Sequence, residues 1–332
     1  MIFPISFSIP KELVVPYVPF KMQHTATHTY QFDDSNLYLQ NYRPSIFGDT
    51  TLKCGWDCLR HYEILSQGTI PNFVKRSGPY CPNGLADCPE KTMFNYPKKQ
   101  TLRLIDKYGS LEFSDIMRVS SSELYEELDE LLRYTRANLT NEASADYVLS
   151  RLGVPESRKI LYLANIKKGE GDDHYLYNML VNGLKNNTKG GCDLYPELDH
   201  HYKSFPIEET KKMYGKGFNY TRAIDDSYRN KVNKEGILDR IKRGYYDKII
   251  VYMAHRNELD YNEFMDSNSP NYIFKYYSSN DIAFVCGHDC DSFFVDGEYR
   301  IKMLHECHLR SKVLKNISIF IRECGPDLIY KG

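Results

Sequence analysis

Short apolar runs alternate with amphipathic stretches along most of the chain. Apolar or alternating runs predict strands at 2–9, 45–51, 69–73, 159–166, 190–198, 248–254 and 282–287, with 313–323 as a strand or a helix. Apolar positions spaced three to four residues apart predict helices at 56–67, 98–108, 121–150, 175–186, 207–213, 227–243 and 298–310. Strands that alternate with helices are typical of an α/β protein with a mostly parallel sheet.

A polar stretch with glycine and proline, RLGVPESR at 151–158, interrupts this pattern and predicts a domain boundary. The chain has 332 residues, more than one hydrophobic core usually covers. We therefore expect two α/β domains, at 1–150 and 155–332.

Composition narrows the classes of function. A net charge of −1 without blocks of like charge argues against a nucleic-acid partner. No run of about 18 apolar residues predicts a membrane span. The first 20 residues lack the features of a signal peptide, so we expect a cytoplasmic protein with reduced thiols. Frequent Tyr, Asn and Lys are typical of AT-rich genomes, such as those of large viruses and protists.

The segment at 54–73, CGWDCLRHYEILSQGTIPNF, carries the sharpest chemical signal. The free N–H groups at the start of its helix suit a pyrophosphate. Arg60, one turn in, can pair with a phosphate, and Glu63 can accept hydrogen bonds from ribose hydroxyls. The same spacing also suits a plain surface ion pair between the two side chains.

These residues resemble the donor-binding motif of exostosin-like glycosyltransferases, an Arg-x-x-Glu helix followed by Gly-x-x-Pro and a short strand. The match consists of Arg60, Glu63, Gly68 and Pro71, with IFGDTTLKCGWD before it and CPEKTMFNYPK after it. The resemblance implies a GT-B fold, in which two Rossmann-like domains face each other across a cleft. It also implies inverting transfer from a nucleoside-diphosphate sugar to a glycan hydroxyl, with no metal or other cofactor. The donor-binding residues it implies are Lys53, Trp56, Arg60, Glu63 and Gly68.

The order of the two halves departs from that family, in which the donor domain is usually C-terminal. We predict a permuted order or a module of a longer multidomain chain. A permutation would place residues 3–9 beside the last helix, because exchanged termini must lie close together.

Inverting transfer needs a general base that deprotonates the acceptor hydroxyl. GEGDDH at 169–174 follows the strand predicted at 159–166, and the carboxyl ends of parallel strands are where ligand sites form. We favour Asp173 as the base, with Asp172 and His174 as the other candidates. A helix N-cap is an equally good role for either aspartate.

Two further segments offer contacts to the acceptor or to a phosphate. Gly215, Lys216 and Gly217 form a glycine-containing loop, which also suits an ordinary tight turn. His255 and Arg256 follow the strand predicted at 248–254, where a histidine without any chemical task is the simpler interpretation.

Two alternatives stay open at this point. Asp289 and Asp291 resemble the Asp-x-Asp motif of GT-A glycosyltransferases, which holds Mn²⁺ or Mg²⁺ against the donor phosphates. The second alternative is a non-catalytic module that binds glycans or nucleotide sugars.

Overall fold

The computed structural model describes residues 15–18, 34–50, 57–73, 84–88, 95–109, 121–153, 159–164, 175–253, 264, 266–287 and 318–321. The strands are β1 (Val15–Val18), β2 (Ser45–Thr50), β3 (Ile70–Phe73), β4 (Ile160–Ala164), β5 (Cys192–Tyr195), β6 (Lys248–Met253), β7 (Ile282–Cys286) and β8 (Ser318–Ile321). The helices are α1 (Ser35–Gln40), α2 (Leu59–Ser66), α3 (Lys98–Tyr108), α4 (Ser121–Asn138), α5 (Asn141–Arg151), α6 (Tyr175–Asn187), α7 (Ile207–Thr210) and α8 (Lys234–Lys242).

The strands form two sheets, and all of their pairings are parallel. One sheet has three strands in the order β1-β2-β3, and the other has five in the order β5-β4-β6-β7-β8. Numbered within the second sheet, this is the doubly wound order 2-1-3-4-5. The expected α/β class with parallel sheets is confirmed.

The five-stranded sheet is covered on both faces, which explains why its strands are almost wholly apolar. Alternate residues of β4 point to opposite sides, because side chains alternate along a strand. Ile160 and Tyr162 join a core with α5 and α6. Leu161 and Leu163 join a second core that contains Ile237 and Ile241 of α8.

The three-stranded sheet carries the predicted donor motif. The chain leaves β2 at Thr50, forms α2 and returns as β3, which pairs parallel to β2. Helix α2 packs against both strands and against α4. Its buried apolar residues Tyr62 and Leu65 belong to the core of this sheet.

Most predicted elements are confirmed within one to three residues at each end. The helix predicted at 121–150 is instead two helices, because the Thr140 side chain accepts a hydrogen bond from Ala143 N and begins α5 as a new helix. Ala145 and Val148 of α5 then pack with the five-stranded sheet, although the sequence places them in the first half.

Other stretches also differ from the prediction. The stretch at 17–43, where the pattern predicts neither a strand nor a helix, contains α1, whose N-cap Asp34 accepts hydrogen bonds from Asn36 N and Leu37 N. The helix predicted at 207–213 ends at Thr210, and the helix predicted at 227–243 begins at Lys234. The strand at 2–9 and the helix at 298–310, with the contact predicted by a permutation, lie outside the described residues.

In the part of the chain that the structure describes, none of the helices has the length and apolar character needed to span a bilayer.

Candidate functional site

Helix α2 holds Arg60 and Glu63 between two well-defined ends. It begins after Cys58, whose extended backbone supplies the N-cap position. Its last residue is Ser66, and Gly68, two residues further on, adopts a φ of 65°. Gly68 N donates to Leu65 O and Thr69 N donates to Ile64 O, the paired bonds of a Schellman motif. Gly68 therefore terminates the helix just before β3, as the sequence pattern predicts.

The Glu63 carboxylate lies between the two halves of the chain. Tyr38 OH donates to Glu63 Oε2 at 2.6 Å, and Asn219 Nδ2 donates to Glu63 Oε1 at 2.7 Å. Glu63 is 5% exposed and Asn219 is 7% exposed, so this is a buried polar contact. Protein groups therefore surround the carboxylate to which the sequence assigns ribose hydroxyls.

Arg60 lies among polar groups of the same region. Burial works to lower the pKa of its guanidinium, and nearby phenol, thiol and carboxylate groups raise it by more. Those groups belong to Tyr38, Tyr42, Cys58 and Glu63. The net pKa is above the usual value, so Arg60 keeps its positive charge, as binding to a phosphate requires.

The loop at 215–222 has an unusual backbone and faces α2. Left-handed φ values occur at Gly215 (58°), Lys216 (54°), Gly217 (68°), Asn219 (66°) and Arg222 (57°). Left-handed backbone costs about 1–2 kcal/mol for most residues with a side chain, here Lys216 and Arg222, and less for asparagine. Such strain concentrates at functional sites. The Phe218 ring stacks on the Tyr38 ring, with centroids 6.1 Å apart and an interplanar angle of 30°.

The structure thus brings together two segments that the sequence singled out separately. Glu63 comes from the predicted donor motif, and Asn219 lies two residues after the predicted Gly215–Lys216–Gly217 contact loop. Asn219 and Tyr38 were not predicted, because hydrogen bonds across 156 and 25 positions leave no local pattern in the sequence.

A second set of candidates follows the strands of the five-stranded sheet. In the order 2-1-3-4-5 the connections diverge between β4 and β6, and ligands of doubly wound proteins bind in the crevice beyond the carboxyl ends at such a point. Along the chain, 165–174 follows β4, 254–263 follows β6 and 288–291 comes shortly after β7. The structure places these three strands side by side with parallel pairing.

Those segments contain the remaining candidates for chemistry, which lie outside the described residues. They are Asp172, Asp173, His174, His255, Arg256, Asp289 and Asp291, and Lys53 and Trp56 lie outside as well. Their predicted roles stay predictions. Within the described ranges no three His, Cys, Asp or Glu residues are grouped so that they could hold a metal ion.

The segment that follows β5 contains a buried histidine pair that was not predicted. His200 and His201 follow β5, and the Nε2 atom of each lies on the Oδ1 atom of Asn178, at 2.9 and 2.7 Å. Because an amide oxygen only accepts, both rings carry their proton on Nε2. Burial lowers the pKa of His200 to about 4 and that of His201 well below its usual value, so both are neutral at pH 7. Asn178 lies in the first turn of α6, so this pair fixes the start of that helix against the loop after β5.

Comparison of the chain with protein-family models, with curated proteins and with solved structures finds no match in any of the three.

Proposed function

We propose that the protein is a glycosyltransferase that moves a sugar from a nucleoside-diphosphate sugar to a glycan hydroxyl. The observation that carries the proposal is the contact between Glu63 and Asn219. It places the Arg-x-x-Glu helix where residues of the two halves meet. In the GT-B arrangement, the donor lies in the cleft between two domains of this kind.

In this proposal the pyrophosphate binds Arg60 and the N–H groups at the start of α2. Arg60 keeps its positive charge, which attracts a phosphate. The paired N–H donors of its guanidinium also match two phosphate oxygens. The ribose hydroxyls donate to Glu63. Lys53 adds positive charge, and Trp56 completes the donor site.

The acceptor and the base belong to the five-stranded sheet. Asp173 is the proposed base, with Asp172 and His174 as neighbours, and His255 and Arg256 contact the acceptor. The divergence of connections between β4 and β6 supports this placement, because 165–174 and 254–263 follow those two strands. Transfer of this kind stabilises charge with protein groups and uses no metal.

The first experiment measures the thermal unfolding midpoint of the protein with UDP, with GDP, with UDP-sugars and with GDP-sugars. A ligand that binds the folded state raises the midpoint. We expect stabilisation by one nucleotide, and its loss in Arg60→Met. Arg133→Met is the matched control, since Arg133 pairs with Asp129 on the surface and its side chain is 68% exposed. No stabilisation by any of these nucleotides would overturn the proposal.

The second measurement is release of nucleoside diphosphate from the sugar that stabilises most. We expect slow release even without acceptor, because water can replace the acceptor hydroxyl, and its loss in Asp173→Asn. Stabilisation without any release would instead identify a binding module. Release that needs Mn²⁺ and disappears in Asp289→Ala would identify the metal-dependent GT-A mechanism.

A further inference from the structure

Phe218 and Asn219 present the same chemistry to α1 and α2 that a nucleoside would present. Phe218 offers an aromatic ring that stacks on Tyr38. Asn219 offers an N–H donor that bonds Glu63 Oε1 at 2.7 Å. A nucleoside has a flat aromatic base next to a ribose, whose hydroxyl groups are hydrogen-bond donors. Phe218 therefore covers the Tyr38 ring on which a base could stack, and Asn219 pairs with the Glu63 oxygen that could accept from a ribose hydroxyl.

The segment that makes this contact has two energetically unfavourable features. Asn219 adopts a φ of 66°, and Lys216 and Arg222 near it are also left-handed. Asn219 Oδ1 is buried and has no hydrogen-bond partner among the described residues, which is unfavourable for an amide oxygen removed from water. Withdrawal of Asn219 from Glu63 would let that oxygen reach water, so part of the lost hydrogen bond is recovered.

We propose that Phe218 and Asn219 occupy the nucleoside position of the donor site and hold it closed until a nucleotide displaces them. This inference rests on the proposed donor site around Arg60 and Glu63. The ligand is a nucleoside diphosphate. Its base replaces Phe218 on the Tyr38 ring, a ribose hydroxyl replaces the Asn219 amide on Glu63, and its pyrophosphate binds Arg60. Asn219 thereby competes with the donor and sets its affinity.

The test is calorimetric titration of Asn219→Gly with UDP, with GDP and with inorganic pyrophosphate. Glycine suits a left-handed backbone, so this variant removes the side chain and keeps the local conformation. Lys189→Gly is the matched control, because Lys189 also has a left-handed φ of 48° but is exposed and lies outside the loop at 215–222. Phe218→Ala is a second variant, which removes the competing ring and leaves the Asn219 amide in place.

We expect each of the two test variants to bind the nucleotide that stabilises the wild-type protein about tenfold more tightly. Pyrophosphate contacts only the Arg60 end, so its affinity should be the same in the wild-type protein and in all three variants. Cooperative thermal unfolding of each variant confirms that it is folded.

Three unfavourable outcomes are distinguishable. A wild-type protein that binds UDP or GDP, with both test variants binding equally or more weakly, would overturn this inference and leave the donor site standing. Absence of nucleotide binding by the wild-type protein and by every variant would overturn the donor site itself. An equal gain for pyrophosphate would show a general opening of the site, and would also overturn the nucleoside assignment.

Discussion

Asn219 Nδ2 donates a hydrogen bond of 2.7 Å to Glu63 Oε1, across 156 positions of the chain. Tyr38 OH donates a hydrogen bond to the other carboxylate oxygen, Glu63 Oε2. An ionised carboxylate removed from water needs such donors, because burying an unpaired charge is very unfavourable. This three-residue cluster therefore links α1, α2 and the loop at 215–222, whatever ligand the region binds.

The first prediction concerns the hydroxyl of Tyr38. Tyr38→Phe keeps the ring that stacks on Phe218 and removes the donor to Glu63 Oε2. We expect the free energy of unfolding to fall by about 1.5–3 kcal/mol, the usual range for a hydrogen bond to a charged group. Urea denaturation measures it.

Tyr125→Phe is the control, because Tyr125 is 41% exposed. It should change the free energy of unfolding by less than about 0.5 kcal/mol. Equal effects of the two substitutions would show that the Tyr38 hydroxyl contributes nothing to stability.

The second prediction concerns pH and the buried histidine pair. The pKa of His200 falls from 6.5 in the unfolded chain to about 4 in the folded protein, because burial disfavours the charged ring. Below pH 6.5 the unfolded chain therefore binds more protons than the folded protein, so the stability present at pH 7.5 decreases as the pH falls toward 4. We expect His200 alone to lower the free energy of unfolding by about 2 kcal/mol between pH 7.5 and pH 5.

His200→Gln tests this directly, because a glutamine amide keeps a donor for Asn178 Oδ1 and does not titrate. Urea denaturation at pH 7.5, 6 and 5 should give a shallower pH dependence for this variant than for the wild-type protein. His201 remains neutral in the variant, so part of the dependence should persist. Identical slopes in the two proteins would contradict the assignment.

The third prediction concerns Lys185, whose side chain is fully buried. Its ammonium donates to Tyr228 O at 2.7 Å and to Asn230 Oδ1 at 3.0 Å. Burial lowers the pKa of Lys185. Lys185→Met would remove the ammonium donor from both acceptors, and only Asn230 Oδ1 would keep another donor, Leu194 N. We expect a loss of about 2–4 kcal/mol in the free energy of unfolding.

Lys203→Met is the matched control for that substitution. The Lys203 side chain is 62% exposed and pairs with Asp225 at 3.4 Å, and exposed pairs of this kind contribute about 0–1 kcal/mol. A loss in Lys185→Met no larger than in Lys203→Met would mean that the buried ammonium is dispensable.

The sequence predicts the class of fold because that class depends on local patterns. Apolar runs of about five residues mark β4, β6 and β7, and helical spacing marks α3 and α6 close to their observed bounds. The pattern failed where a capping side chain begins a new helix, or where a short strand contains a proline. Thr140 divides one predicted helix into α4 and α5, and β1 contains Pro16.

The candidate site depended on the sequence and the tertiary structure in different ways. By itself, the sequence determined that Arg60 and Glu63 lie three residues apart on one helix, and that polar segments follow β4, β6 and β7. Only the tertiary structure decided that Glu63 bonds Asn219, that β4 lies between β5 and β6, and that Asn178 pairs with both His200 and His201. The reason is physical. Periodicity records which side of an element is buried, whereas contacts between distant segments form only when several packed elements together fix their positions.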